Sequence, residues 1–206
     1  RLKAIELGLV PKDTPMVTMS TTRDWAALSD KEKRYQARLM EVYAAMADAL
    51  DHEVGRLIAH LKSTGEFDNT VFVFLSDNGP EGSDYKEADL WLRMNYTRDL
   101  DRLGGPGAYV VPGPSWSSAS ASPFKGFKFY ASEGGIRSPL IISGVATNSS
   151  RNQVHAGLTH VTDIVPTLLA LSGAQPAPPS IDGRRIEPPS GVSLLPVILG
   201  QQASAR

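Results

Sequence analysis

Cysteine is absent from all 206 residues. That excludes disulfides, thiolate metal sites and a cysteine nucleophile within this chain. Long apolar runs are missing too: Val71 to Leu75 spans five residues, whereas a membrane-crossing helix takes about 20. Neither sign of charge is in excess. Lys and Arg number 21 against 22 Asp and Glu, a net charge of −1, so no basic face for nucleic acid is implied. The opening RLKAIELGLVPKDTP has no charged n-region followed by an apolar h-region, and does not read as a signal peptide. It begins at Arg1 and reads like the middle of a gene product. With 41% hydrophobic residues, the chain is too apolar for disorder. Its length suits one domain or a large part of one.

What is present is ordered by local signals. Residues 1–28 form a polar, irregular lead-in, with Pro11 and Pro15 against any long helix. Ser29-Asp30-Lys31-Glu32 then has the form of a capping box. Behind it, Leu39, Tyr43, Met46, Leu50, Val54, Leu57 or Ile58, and Leu61 recur at helical steps. The spacing predicts one long helix with a buried face, stopped at Gly65. Asp48, Asp51 and His52 on that helix read as a solvated face rather than a metal site. Val71 to Leu75 is apolar at every position, as expected of a strand covered on both faces in a parallel sheet. Residues 81–123 read as a long loop with little regular structure, anchored by Trp91, Tyr96, Tyr109 and Trp116. Leu140 to Ile142 reads as a second buried strand. His160 opens a helix that ends at Ser172-Gly173, with Pro166 in its first turn.

The first strand ends in Ser76-Asp77-Asn78-Gly79, where open α/β sheets bind ligands. Asp77 and Asn78 carry hard oxygen donors, which suit Ca²⁺ or Mg²⁺, but Ca²⁺ takes six to eight oxygens and two side chains make no site. Asp-Asn-Gly is also a common turn sequence. Lys125 and Lys128 stand among Phe124, Phe127, Phe129 and Tyr130. Either could offer a fixed positive charge to an oxyanion, or simply lie over apolar surface. Gly134 and Gly135 permit a close backbone approach or a positive φ. His155 and His160 lack any partner spacing and read as structural.

Taken together, these motifs resemble the second half of a sulfatase. The order is a hydrophobic strand, Ser76-Asp77-Asn78-Gly79, a lysine five residues before Glu133-Gly134-Gly135-Ile136-Arg137, and then His160-Val161-Thr162-Asp163-Ile164-Val165-Pro166. Tyr43 to Leu61, Asp182-Gly183 and Ser193-Leu194-Leu195-Pro196 are similar to that family as well. The stretch from Gly105 to Pro123 resembles its bacterial arylsulfatase branch. The resemblance implies an alkaline-phosphatase-like α/β sandwich with a mostly parallel sheet, so that residues 29–206 are part of a single sulfatase domain. It implies Asp77 and Asn78 as ligands of a catalytic Ca²⁺, in preference to Mg²⁺. Lys128 matches the lysine that contacts the substrate sulfate, Lys125 being three residues too early. Glu133 and Arg137 match supporting positions near the site. The implied partner is a small-molecule sulfate ester, with no nucleic acid and no membrane. Oligomeric state and compartment, bacterial periplasm or cytoplasm, stay open.

The departures from the pattern matter equally. A sulfatase uses a formylglycine made from Cys or Ser within Cys/Ser-x-Pro-x-Arg, and no such motif occurs here. The family's early paired aspartates and the histidines ahead of the Asp-Asn-Gly strand are also missing. The chain is therefore expected to be a carboxyl-terminal fragment, inactive in isolation, of an aryl-sulfate hydrolase. The alternatives are a phosphonate or phosphodiester hydrolase of the same superfamily, and a non-catalytic remnant or binding module.

Overall fold

The computed structural model describes residues 2–8, 10–84, 90–145 and 154–206. In order, the elements are α1 (Leu2–Glu6), α2 (Asp30–Thr64), β1 (Phe72–Leu75), α3 (Leu90–Asn95), α4 (Gly113–Ala121), α5 (Glu133–Ile136), β2 (Leu140–Ser143), α6 (Ile164–Ser172), β3 (Ser180–Ile181), β4 (Arg184–Arg185) and α7 (Leu195–Ile198). They gather into two compact units, residues 1–69 with 73–141, and residues 70–72 with 142–206.

In the first unit, local chemistry sets the ends of α2. The Ser29 side chain accepts from the Glu32 backbone N–H, and the Glu32 carboxylate accepts from the Ser29 N–H in return, completing the expected capping box. Ser29 and Arg23 hydrogen bonds hold the Glu32 carboxyl down at about 2. Gly65, left-handed at φ 78°, ends the helix. Its 35 residues extend about 50 Å at 1.5 Å per residue.

The expected buried face of α2 is only partly realised. Leu39 and Val42 are buried against Leu103, with Tyr35, Leu100 and Val110 around them. Tyr43, Met46, Leu50 and Leu57 are exposed, Met46 by 60%. The packing layer comes from residues 100–110, which reach only the amino-terminal turns of the helix. That layer lies within the expected loop, so residues 81–123 are more structured than their glycines and prolines suggest. They contain α3, a 3₁₀ turn at Leu100–Arg102 and α4, while residues 85–89 fall outside the described ones. The aromatic anchors act as expected: Trp116 donates its indole N–H to the Gln36 carbonyl at 2.9 Å, and Tyr96 packs between Trp91 and Tyr109 with both centroids 5.7 Å away.

β1 and β2 form a two-stranded sheet. The expected double cover of β1 is not found: Phe74 is 50% and Leu75 38% exposed, because no layer among the described residues lies over them. A mostly parallel sheet is likewise not seen there, the other sheet being the antiparallel pair β3–β4. Beyond β1, the chain crosses α5 with no side chain between the backbones. Gly79 N–H donates to the Gly135 carbonyl at 2.8 Å. A Cβ on Gly79 would overlap the Gly134 carbonyl, and one on Gly135 the Tyr130 carbonyl. Close approach, not positive φ, is what these glycines supply.

The second unit is organised by Asp163, whose side chain is fully buried. The expected His160-to-Gly173 helix forms as a 3₁₀ turn, Val161–Asp163, running into α6. His160 is structural, as read: its Nδ1 caps the turn by accepting from Thr162 N–H. The Asp163 carboxylate accepts from the backbone N–H of His160 at 2.8 Å and of Val192 at 2.9 Å, and from both terminal nitrogens of Arg206 at 2.6 Å. Arg206 foremost, opposed by burial and helped by the backbone donors, holds this carboxyl at about 2.

Two predictions follow from these contacts. Gly79→Ala is expected to lower stability by about 1–3 kcal/mol, the range for forcing atoms into a packed site. Gly55→Ala, in open space on α2, should raise it by up to about 1 kcal/mol. Urea melts compare them, and a neutral Gly79→Ala would refute the crossing. Asp163, depressed from 3.8 to about 2, contributes stability that is complete above pH about 4 and lost as pH falls towards 2, on the order of 2 kcal/mol. Denaturant midpoints measured between pH 5 and 2 should drop steeply, and Asp163→Asn should be destabilised at pH 6 while losing that steep segment.

Candidate functional site

The end of β1 is shaped by two serines. Ser138 Oγ donates to the Ser76 carbonyl at 2.6 Å, and Ser76 Oγ donates to the Asn78 carbonyl at 2.9 Å. The chain therefore turns sharply between strand and glycine crossing. Asp77 is exposed on this turn and Asn78 half-buried.

Lys128 arrives from a distant part of the sequence. It occupies the second position of a tight turn, Phe127 to Tyr130, closed by Tyr130 N–H to the Phe127 carbonyl at 3.0 Å. The third position, Phe129, has φ 81°, a geometry usually given to glycine. Phe127 roots the turn: it is buried and meets the Tyr130 ring edge-on, centroids 5.0 Å apart. Backbone and side chain of Lys128 are both tied to the segment after Gly79. Its N–H donates to the Pro80 carbonyl at 2.9 Å, and its Nζ lies 2.9 Å from Glu81 Oε2.

Glu81 is the residue that sequence reasoning missed. Its other carboxylate oxygen accepts from Ser83 N–H at 2.8 Å and Ser83 Oγ at 2.6 Å. Its carbonyl accepts from the buried Ser117 hydroxyl of α4. Burial pushes its carboxyl up, but hydrogen bonds from Ser83 and Lys128 more than offset this and leave it below the usual range. Lys128 is correspondingly raised, first by the Glu81 hydrogen bond and then by the Glu81 charge, against a smaller opposing effect of burial. The only sequence signal for Glu81 was its place two residues before a serine, a common local turn contact.

The other candidates separate clearly. Lys125 is exposed and engages the fold through its carbonyl, which accepts from Gly134 N–H at 2.9 Å and Ser132 Oγ at 2.7 Å. Glu133 and Arg137 pair across one turn of α5 at 3.0 Å, and the Arg137 guanidinium lies 4.8 Å from the Phe124 ring centre. Asp48, Asp51 and His52 are exposed on α2, and His155 is exposed as well.

Asp77 and Asn78 have the donor chemistry of a hard-cation site, adjacent oxygens on an accessible turn, but not its number. Among the described residues, no group of three or more His, Cys, Asp or Glu is placed to hold a metal ion. Any Ca²⁺ at this turn would take most of its oxygens from elsewhere. No helix among the described residues is long and apolar enough to cross a membrane.

Comparison with known proteins bears on the same residues. A family model described as Sulfatase matches residues 13–174. An arylsulfatase of Klebsiella aerogenes is 34% identical over 100% of this chain, a stretch that makes up 44% of that protein. An uncharacterized sulfatase of Schizosaccharomyces pombe is 35% identical over 90% of the chain and 34% of its own length. A multifunctional alkaline phosphatase superfamily protein of Trinickia caryophylli is 24% identical over 79% of the chain and 24% of its own length. The chain therefore spans less than half the length of each of these relatives. With the family model covering most of its residues, the chain belongs to the sulfatase family, and so to the α/β alkaline-phosphatase-like superfamily.

Proposed function

We propose that this chain contributes one half of the active site of a sulfatase that hydrolyses small sulfate esters of the aryl class. The observation that carries this reading is the Lys128 ammonium, fastened at 2.9 Å to Glu81 on the segment that carries Asp77 and Asn78, although lysine and turn are far apart in sequence. Family membership and the identity to an arylsulfatase support it.

In this reading Asp77 and Asn78 are ligands of a Ca²⁺ whose remaining ligands lie outside these residues. When bound, that ion would draw negative charge off the sulfate oxygens. Lys128 donates N–H bonds to the same oxygens. Because Glu81 raises its pKa, Lys128 stays protonated near neutral pH. It acts as a fixed charge and not as a proton carrier, since a proton carrier needs a pKa near the working pH. Hydrolysis breaks the sulfur–oxygen bond to the leaving alcohol or phenol, and the charge that develops then lies where a fixed donor is most effective. The attacking group, expected to be a formylglycine, is not among these residues, because no Cys/Ser-x-Pro-x-Arg motif occurs.

In an active sulfatase containing these 206 residues, Lys128→Ala should lower aryl sulfate turnover by roughly 10²–10³-fold, the scale for losing one charge-stabilising donor. Lys125→Ala should do far less. Equal effects, or a worse Lys125→Ala, would overturn the lysine assignment. A second reading, a phosphonate or phosphodiester hydrolase, draws on the 24% identity to the multifunctional superfamily protein. Running an aryl phosphodiester beside the aryl sulfate separates the two by kcat/KM.

The 206-residue chain by itself should turn over no aryl sulfate and should bind Ca²⁺ weakly. Tight stoichiometric binding by calorimetry would mean that the ligand set is wrong. Turnover by the isolated chain would place the nucleophile within it.

A further inference from the structure

We propose that Glu81 is the positioning residue for Lys128, gripping its ammonium so that the charge faces the Asp77–Asn78 turn and the oxygens of the bound anion. The inference rests on the sulfatase reading and deepens it by naming what holds the cation in place.

A lysine carries a flexible four-carbon stem with many rotamers, so a bare surface lysine makes a poorly aimed charge. Lys128 is anchored at both ends. Its backbone sits at a turn tip rooted by buried Phe127 and bonded to the Pro80 carbonyl. Its Nζ meets Glu81 Oε2 at 2.9 Å. Glu81 is itself immobilised, for Ser83 supplies two donors to Oε1 and Ser117 one to its carbonyl. The two carboxylate oxygens thus divide the work, one held by Ser83 and the other holding Lys128.

The partners also share a frame. Glu81 lies just beyond the Gly79 crossing, on the segment that carries Asp77 and Asn78. Any shift of that segment therefore moves the proposed metal ligands and the grip on Lys128 together. An ammonium has three donors, so a Lys128 engaged by Glu81 still has N–H bonds to give to an anion. The pair is also open enough for that: the Lys128 side chain is 40% and the Glu81 side chain 35% exposed.

The test pairs kinetics with a direct measure of aim. In the 206-residue chain, NMR relaxation of the lysine side chains should find the Lys128 ammonium more ordered than that of Lys125. Glu81→Gln should bring it down to the Lys125 level. In an active sulfatase containing the chain, Glu81→Gln should lower kcat for aryl sulfate by about 10-fold with little change in KM, since a small misplacement of a reacting group is costly. Glu81→Asp, which keeps the charge, should recover part of that loss. Added to Lys128→Ala, Glu81→Gln should cost less than about 2-fold more, because the two act as a unit. Ser83→Ala should give a smaller loss with the same pattern, and it serves if Glu81→Gln fails to fold. A Lys128 ammonium as mobile as that of Lys125 overturns the inference. So does additivity of Glu81→Gln and Lys128→Ala, which would mark a purely structural role. A silent Lys128→Ala removes the sulfatase assignment of the lysine and this inference with it. An effective Lys128→Ala beside a silent Glu81→Gln overturns the inference alone.

Discussion

One backbone contact organises the candidate site. Where Gly79 passes Gly134 and Gly135, two stretches of chain approach closer than any side chain would allow, joined by an N–H to carbonyl bond of 2.8 Å. Everything with chemical interest hangs from that point. Asp77 and Asn78 precede it by one or two residues, and Pro80 and Glu81 follow it. The loop carrying Lys128 is stitched to α5 through the Lys125 carbonyl and Gly134 N–H. Groups distant in sequence are brought together by an absence of side chains, and their separation is fixed by backbone geometry, the least adaptable part of a protein.

Features written in neighbouring residues were legible. The Ser29–Glu32 box and Gly65 define α2, and His160, Pro166 and Gly173 define the turn and helix that follow β2. Asp182 and Gly183, at φ 50° and 74°, turn β3 into β4 as an Asp-Gly pair favours. Features that depend on distant partners were not legible. The periodicity of α2 says which residues share a face, but not that residues 100–110 cover only Leu39 and Val42. The apolar run of β1 says strand, but not that Phe74 stays open. Lys128 could be chosen over Lys125 only by resemblance, and Glu81 could not be singled out at all. A carboxylate declares its partner only when the chain has folded.

Two ion pairs show how burial decides what the same chemistry is for. Asp163 is fully buried and meets Arg206 through two short bonds, with backbone donors completing its coordination. Such a carboxylate is costly to leave unpaired, and it ties the 3₁₀ turn, the Val192 segment and Arg206 into one body. Glu81 and Lys128 remain partly in water. An exposed pair of that kind adds little stability. Its value lies in direction, since it limits where a charged group can point without removing it from solvent.

Phe129 gives the Lys128 turn a particular balance. Its backbone adopts φ 81°, which glycine would accept without penalty and which a bulky side chain takes at a cost on the order of 1–3 kcal/mol. In return, a ring that is 74% exposed lies 5.5 Å from the lysine ammonium, within range of a cation–π attraction. Glycine at this position would give a more comfortable turn and a less well-dressed charge. The residue therefore trades backbone comfort for a ring laid beside the ammonium.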